Sequence, residues 1–227
     1  MGGGTVRIGV TVFPGSNCDR DALYAIQRAG AEPVELWHAD ANLKGVEAVV
    51  VPGGFSYGDY LRPGAIARFA KVMAPLEEFA SAGGPVLGVC NGFQVLTEAH
   101  LLPGALLRNT HMRFVCSRAL VRFESVQTPW TSLFEPGDRL TLPVAHNEGN
   151  YFADEKTIAE LEDEGRVVLR YMDNPNGSVN DIAGICSEGR NVVGLMPHPE
   201  RASDPTLGFG EGLKVFESVL SFAGIKA

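Results

Sequence analysis

The stretch Gly84-Pro85-Val86-Leu87-Gly88-Val89-Cys90-Asn91-Gly92-Phe93-Gln94 decides how the chain folds. Pro85 to Val89 is a short apolar run that reads as a buried strand, and Phe93 to Ala99 supports a helix. Between them Cys90 stands inside Gly88-Val-Cys-Asn-Gly92. On a strand-to-helix turn this is the thiol counterpart of the Gly-x-Ser-x-Gly nucleophile elbow. The turn is sharp and leaves no room for side chains beside the nucleophile, which is why glycines flank it. This geometry predicts a Cys90 sulfur lifted into solvent at the carboxyl end of the sheet. It also predicts a helix N-terminus behind the sulfur, whose dipole favours negative charge there. The backbone N–H of Asn91 would then face an oxyanion forming beside the sulfur. Most free cysteines are small core hydrophobes, so the motif needs support from the rest of the chain.

The flanking sequence supplies an α/β pattern. Val6 to Phe13, Pro33 to Trp37 and Ala48 to Val51 are apolar runs with the length of buried strands. A helix is predicted after the first of them, capped by Asp19 or Asp21, with Leu23, Ile26 and Ala29 on one face and an end at Gly30. Another is predicted from Ala65 to Ala80, with Ile66, Phe69, Met73 and Leu76 in helical spacing. Beyond Leu102-Pro103-Gly104 the texture changes. Arg113 to Phe123, Arg139 to Val144, Val167 to Tyr171, Ile182 to Cys186 and Val192 to Met196 read as further strands. Asp154 to Leu161 and Gly210 to Ala223 read as helices, and Glu160 to Glu164 as a solvated charged face. The expected fold is therefore α/β: an open, mostly parallel sheet with helices on both faces and extra antiparallel strands in the second half. No repeat, low-complexity tract or linker interrupts the chain. We expect one domain over residues 1–227, with residues 1–5 a flexible lead-in.

Composition narrows the function. The 227 residues carry a formal charge of −8, which argues against nucleic acid as the main partner. No apolar run is long enough to span a membrane, and no secretory signal is visible. Cys18, Cys90, Cys116 and Cys186 are widely spaced without a C-x-x-C pair, so no metal site is expected. A reducing cytoplasm suits such a chain. There is no P-loop, and the spacing of Gly208, Gly210 and Gly212 does not match a dinucleotide loop. The sequon at Asn176-Gly177-Ser178 carries little weight in that compartment.

Two further segments complete a site. In Met196-Pro-His-Pro-Glu200 the prolines hold the chain extended, so His198 and Glu200 point the same way. A carboxylate behind an imidazole fixes its tautomer while the other ring nitrogen serves a nucleophile, the logic of a Cys-His-Glu triad. Val51-Pro-Gly-Gly-Phe-Ser-Tyr-Gly-Asp59 is a second candidate site loop, whose two glycines after a strand can turn backbone N–H groups inward, as an oxyanion hole requires. Spacing alone stops at thiol-dependent acyl transfer or amide hydrolysis.

The elbow Gly88-Val-Cys-Asn-Gly-Phe-Gln94 together with Pro197-His-Pro-Glu200 resembles the class I, triad-type glutamine amidotransferases, whose sheet is flavodoxin-like. Three stretches are similar to the glutaminase subunits of phosphoribosylformylglycinamidine synthase: Phe13 to Asp21, Val51 to Ala65, and His146-Asn-Glu-Gly149. Ser16 departs mildly from the threonine expected there. The resemblance implies Cys90 as nucleophile, His198 as base and acid, and Glu200 as its orienting carboxylate. It implies oxyanion-hole N–H groups from Gly54 and Asn91. Glutamine contacts are implied for Gly53, Gln94, His146, Asn147 and Glu148. It further implies glutamine as substrate and no cofactor in this chain. The partners implied are a large synthetase subunit that uses ATP and magnesium, and a small accessory subunit. Two other readings stay open: a glutaminase feeding a different acceptor, and a redox sensor built on the same fold around Cys90.

Overall fold

The computed structural model describes residues 5–222. The lead-in Met1 to Gly4, and Ala223 at the end of the last predicted helix, lie outside the described residues. In chain order the strands and helices are β1 (Arg7–Val12), α1 (Asp19–Arg28), β2 (Glu32–Trp37), β3 (Ala48–Val51), α2 (Met73–Ser81), β4 (Val86–Val89), α3 (Asn91–Glu98), β5 (Ala105–Leu107), β6 (Val115–Phe123), β7 (Arg139–His146), β8 (Asn150–Phe152), α4 (Glu155–Asp163), β9 (Val167–Tyr171), β10 (Ile182–Cys186), β11 (Val192–Leu195) and α5 (Leu213–Phe222).

Nine strands form one sheet in the order β2-β1-β3-β4-β11-β10-β9-β6-β7. The pairings from β2 through β11 are parallel, and those from β11 through β7 are antiparallel. The central strands β3 and β4 are buried along their whole length, which explains why Ala48-Val-Val-Val51 and Val86-Leu-Gly-Val89 carry no alternation. At the antiparallel edge, β7 alternates buried and more exposed residues, because only one of its faces meets the core. Both edge strands contain a proline, Pro33 and Pro143, a position where a missing N–H costs no ladder bond. Helix α1 packs on β1 and β2 and meets α5, while α3 packs on β3, β4 and β11.

Several local expectations change in the structure. The helix predicted over Ala65 to Ala80 is two pieces. A 3-10 turn at Ala67–Phe69 ends at Ala70, which is extended, and α2 begins only at Met73. Val72 donates its N–H to the His38 carbonyl at 3.2 Å, and Phe69, expected inward, is 75 % exposed. Pro75 is the signal for this break: inside a long helix it would remove a bond and clash, whereas in the first turn of α2 its missing N–H is harmless. Helix α1 is preceded by Cys18 with no side-chain cap, and Asp19 and Asp21 sit in its first turn instead. Asp154 is the N-cap of α4, its carboxylate accepting the Thr157 N–H at 2.8 Å. The charged run after it is not wholly solvated, since Glu162 pairs with Arg170 and accepts from Asn180. A small sheet of β5 and β8 has no counterpart in the sequence reading, because three-residue strands carry too little pattern to detect.

Candidate active site

The elbow is present with the strain its sequence implies. Cys90 follows β4 directly and has φ 51° and ψ −106°, a conformation that costs a non-glycine residue about 1–3 kcal/mol. Its N–H is held by the Leu195 carbonyl at 2.7 Å. The flanking glycines are sterically required. A Cβ on Gly88 would lie 2.5 Å from a Leu96 methyl, and one on Gly92 would lie 1.8 Å from the Val51 carbonyl oxygen. Contrary to the expectation of a solvent-lifted sulfur, Cys90 is only 5 % exposed. It lines a cleft of about 190 Å³ with Cys18, Gly54, Phe55, Ala145 and His198. The sulfur lies 3.7 Å from the Ala145 carbonyl oxygen at the end of β7. The antiparallel half of the sheet thus supplies a wall that the local motif could not announce.

His198 arrives from beyond β11, which runs parallel to β4 with Gly88 opposite Gly194 and Val89 opposite Leu195. Its Nδ1 lies 2.6 Å from Glu200 Oε1. The segment is not extended as expected: Pro199 is helical and Glu200 opens a 3-10 turn, and the turn itself brings the carboxylate to the ring. Both groups are buried, at 2 % and 3 % exposure, and His198 Nε2 and Glu200 Oε2 have no hydrogen-bond partner among the described residues. Burial pulls the imidazole's pKa down. The charges of Glu200 and Cys90 and the nearby thiol of Cys18 outweigh it, so the group is held well above its ordinary range.

The loop after β3 lies against this pair. A Cβ on Gly53 would come within 2.7 Å of His198 Cε1 and 3.3 Å of Cys18 Sγ. The Gly53 carbonyl accepts the Cys18 N–H at 3.3 Å, and Gly54 bridges Ser16. The segment from Phe13 to Asp21 therefore closes over the glycines, which places Cys18 beside the imidazole. Burial pushes the Cys18 thiol up, and His198 partly offsets this. Cys18 and Asp21 are cleft residues to which the sequence reading assigned no chemistry, although both lie in a stretch it singled out.

Asn91 contributes more than its backbone. Its Oδ1 accepts the Ser56 N–H at 3.0 Å, and its Nδ2 donates to Gln94 Oε1 at 2.9 Å and Asp59 Oδ1 at 3.2 Å. Gln94 Nε2 in turn donates to the Glu148 carbonyl at 2.6 Å. One buried amide thus ties the loop after β3, the start of α3 and the loop after β7. Asp59 sits in this network with its carboxyl pushed up to about 6, first by burial and then by the charge of Glu148. Sequence reasoning placed Asp59 at the end of its second candidate loop but gave it no role, because nothing local marks a loop carboxylate as half-buried. Asn91→Ala keeps the backbone N–H but frees the Ser56–Asp59 loop. We expect kcat/KM to fall about 100-fold, the scale of a 1 Å misplacement. Steady-state kinetics beside a thermal melt check this; unchanged kinetics would show that the network is idle.

The residues after β7 behave unevenly. His146 does not line the cleft around Cys90. Its ring is packed under Gly149 and against Asn176, and burial, then the charge on His198, pushes its pKa down to about 4. Asn147 Nδ2 donates to Glu148 Oε1 at 2.8 Å, and Glu148 also faces Arg108 at 3.5 Å. Only the Glu148 carbonyl reaches the elbow helix, through Gln94.

Comparison with known proteins agrees with this geometry. The profile of the CobB/CobQ-like glutamine amidotransferase domain matches residues 5–208. The phosphoribosylformylglycinamidine synthase subunit PurQ of Rubrobacter xylanophilus is 76 % identical over 220 residues, covering 97 % of this chain and 100 % of that protein. The PurQ subunit of Mycobacterium tuberculosis is 60 % identical over 217 residues, covering 95 % and 97 %. The structure of PurLQS from Thermotoga maritima contains a chain with TM-score 0.89 and 44 % identity, covering 96 % of this chain and 99 % of that one.

Proposed function

This chain belongs to the CobB/CobQ-like glutamine amidotransferase family, and from that premise we propose that it is the glutaminase subunit of phosphoribosylformylglycinamidine synthase. It hydrolyses glutamine to glutamate and ammonia. The ammonia passes to a synthetase subunit that uses ATP to convert formylglycinamide ribonucleotide to formylglycinamidine ribonucleotide in de novo purine synthesis. The observation that carries the reading is the strained Cys90 sharing one cleft with the hydrogen-bonded His198–Glu200 pair, in a chain 76 % identical to a PurQ subunit. The relatives do not favour a different acceptor or a redox sensor.

The Cys90 thiolate attacks the side-chain amide carbon of glutamine, forming a C–S bond and an oxyanion. The N–H groups of Gly54 and Asn91 hold that oxyanion. His198 protonates the departing ammonia, and the C–N bond breaks to leave a γ-glutamyl thioester. His198 then takes a proton from water, which attacks the thioester and releases glutamate and the free sulfur. Glu200 fixes the imidazole tautomer throughout, which its 2.6 Å contact to Nδ1 supports. Gly53, Gln94, Asn147 and Glu148 receive the amino-acid end of glutamine, and His146 shapes their loop from beneath.

The reaction needs no cofactor in this chain; ATP and magnesium serve the synthetase subunit. The partners are that subunit and a small accessory subunit. The exposed Phe55, Tyr60, Leu61 and Phe114, two of which line the cleft, support docking at its mouth. No helix among the described residues is long and apolar enough to cross a membrane. We place the protein in the cytoplasm, where reactive thiols stay reduced. The test is glutamate release from glutamine by the chain alone and with the synthetase subunit, its ribonucleotide substrate and ATP. We expect strong stimulation by the complete mixture; turnover indifferent to that partner would move the acceptor elsewhere.

A further inference from the structure

Two thiols flank one imidazole in this cleft, and the mechanism uses only Cys90. Cys18 Sγ, a ring nitrogen of His198 and a carboxylate oxygen of Glu200 all lie within 4.8 Å of one another, and all three residues are buried. The Cys18 thiol makes a long 3.4 Å contact to Asn17 Oδ1, and Glu200 Oε2 has no hydrogen-bond partner among the described residues. Gly53 lets the Cys18 and His198 side chains close on its backbone: a Cβ there would sit 2.7 Å from His198 Cε1 and 3.3 Å from both Cys18 Sγ and His198 Nδ1. Cys18 and His198 line the cleft, so an ion has a way in.

We propose that Cys18, His198 Nδ1 and Glu200 form a binding site for a zinc-class divalent ion, and that occupancy switches the glutaminase off. Thiolate, imidazole and carboxylate are the donors zinc selects. Metal–ligand bonds of about 2.0–2.3 Å hold such donors about 3.3–3.8 Å apart, so the ion takes the place of the proton between Nδ1 and Glu200, now 2.6 Å apart, and these two part slightly while Cys18 Sγ, within 4.8 Å, draws in. Water, or Asp21 at the rim of the same cleft, completes the shell. As the site fills, the Cys18 thiol and His198 Nδ1 each release a proton to solvent, and both atoms bond the ion instead. The ring then keeps its remaining proton on Nε2, which can no longer accept one from water. The thioester would form slowly or stall, with Cys90 itself left unligated. That inhibitory consequence rests on the reading of His198 as general base; the site itself does not.

The ligand set distinguishes this from a metal caught by the nucleophile. Cobalt(II) added to the full chain should give a thiolate charge-transfer band that saturates at one ion per chain. The band should persist in Cys90→Ala and disappear in Cys18→Ser. Because Cys18→Ser could perturb the fold, the wild-type chain supplies a second readout. Zinc should slow alkylation of Cys18, mapped by mass spectrometry, while Cys90 still reacts. In the assembled enzyme zinc should abolish glutamine-dependent synthesis reversibly, with recovery on chelation. Loss of the band in Cys90→Ala, protection of Cys90 rather than Cys18, or no stoichiometric binding would each overturn the proposal. The band and the alkylation pattern are read without glutamine turnover, so failure here is separable from failure of the glutaminase assignment.

Discussion

Cys90→Ala removes glutamine-dependent synthesis from the assembled enzyme and leaves ammonium-dependent synthesis intact. The side chain is small and buried, and alanine fills most of its volume, so the variant should fold and dock. What is lost is the sulfur that the mechanism uses to form the thioester. Removing the nucleophile of a catalytic triad leaves just the residual effect of binding and oxyanion donors, so glutamate release should fall on the order of 10⁴-fold or more. The acceptor chemistry is assigned to the synthetase subunit, so free ammonium should bypass the defect. Parallel assays with glutamine and with ammonium check both halves. Retained glutamine use would displace Cys90 from the mechanism, and loss of the ammonium reaction would show that the variant no longer docks.

Gly92→Ala should be as damaging to activity, by a different route. A Cβ there would lie 1.8 Å from the Val51 carbonyl oxygen and 2.6 Å from its carbon. These are backbone atoms of the central strand β3, so no rotamer change relieves the overlap. Helix α3 must retreat from β3 by more than 1 Å, an estimate set by ordinary contact distances. The retreat carries Cys90 with it, because the nucleophile is the residue immediately before the helix. We expect a loss of about 3 kcal/mol in stability and a fall of about 100-fold or more in kcat/KM. A thermal melt shows the first, with Tm lower by roughly 6–12 °C for a domain of this size. Kinetics well below the midpoint show the second. A variant with wild-type melting and turnover would mean that α3 does not seat on β3 as described.

Much of the fold was legible because the signals are local. Ala48-Val-Val-Val51 could only be a buried strand, and the structure starts and ends β3 at those residues. The break in the helix predicted over Ala65 to Ala80 was marked by Pro75, but the apolar spacing of Ile66, Phe69, Met73 and Leu76 masked it. The burial of Asp59 was not legible at all, since it depends on the Asn91 amide that receives it from α3. The inward turn of His146 likewise depends on Gly149 and Asn176.

The sequence by itself determined the elbow, the dyad partners and the alternation of strands and helices. Each of these follows from sterics and hydrophobic periodicity within a few residues. The tertiary structure alone decided that the parts meet. Strand β11 is more than 100 residues from β4 along the chain, yet their parallel pairing sets Leu195 beside Val89 and so carries His198 to Cys90. The return of the Phe13–Asp21 segment over Gly53 placed a second thiol on the same imidazole. Such convergence is a property of strand order and close packing, which no local pattern encodes.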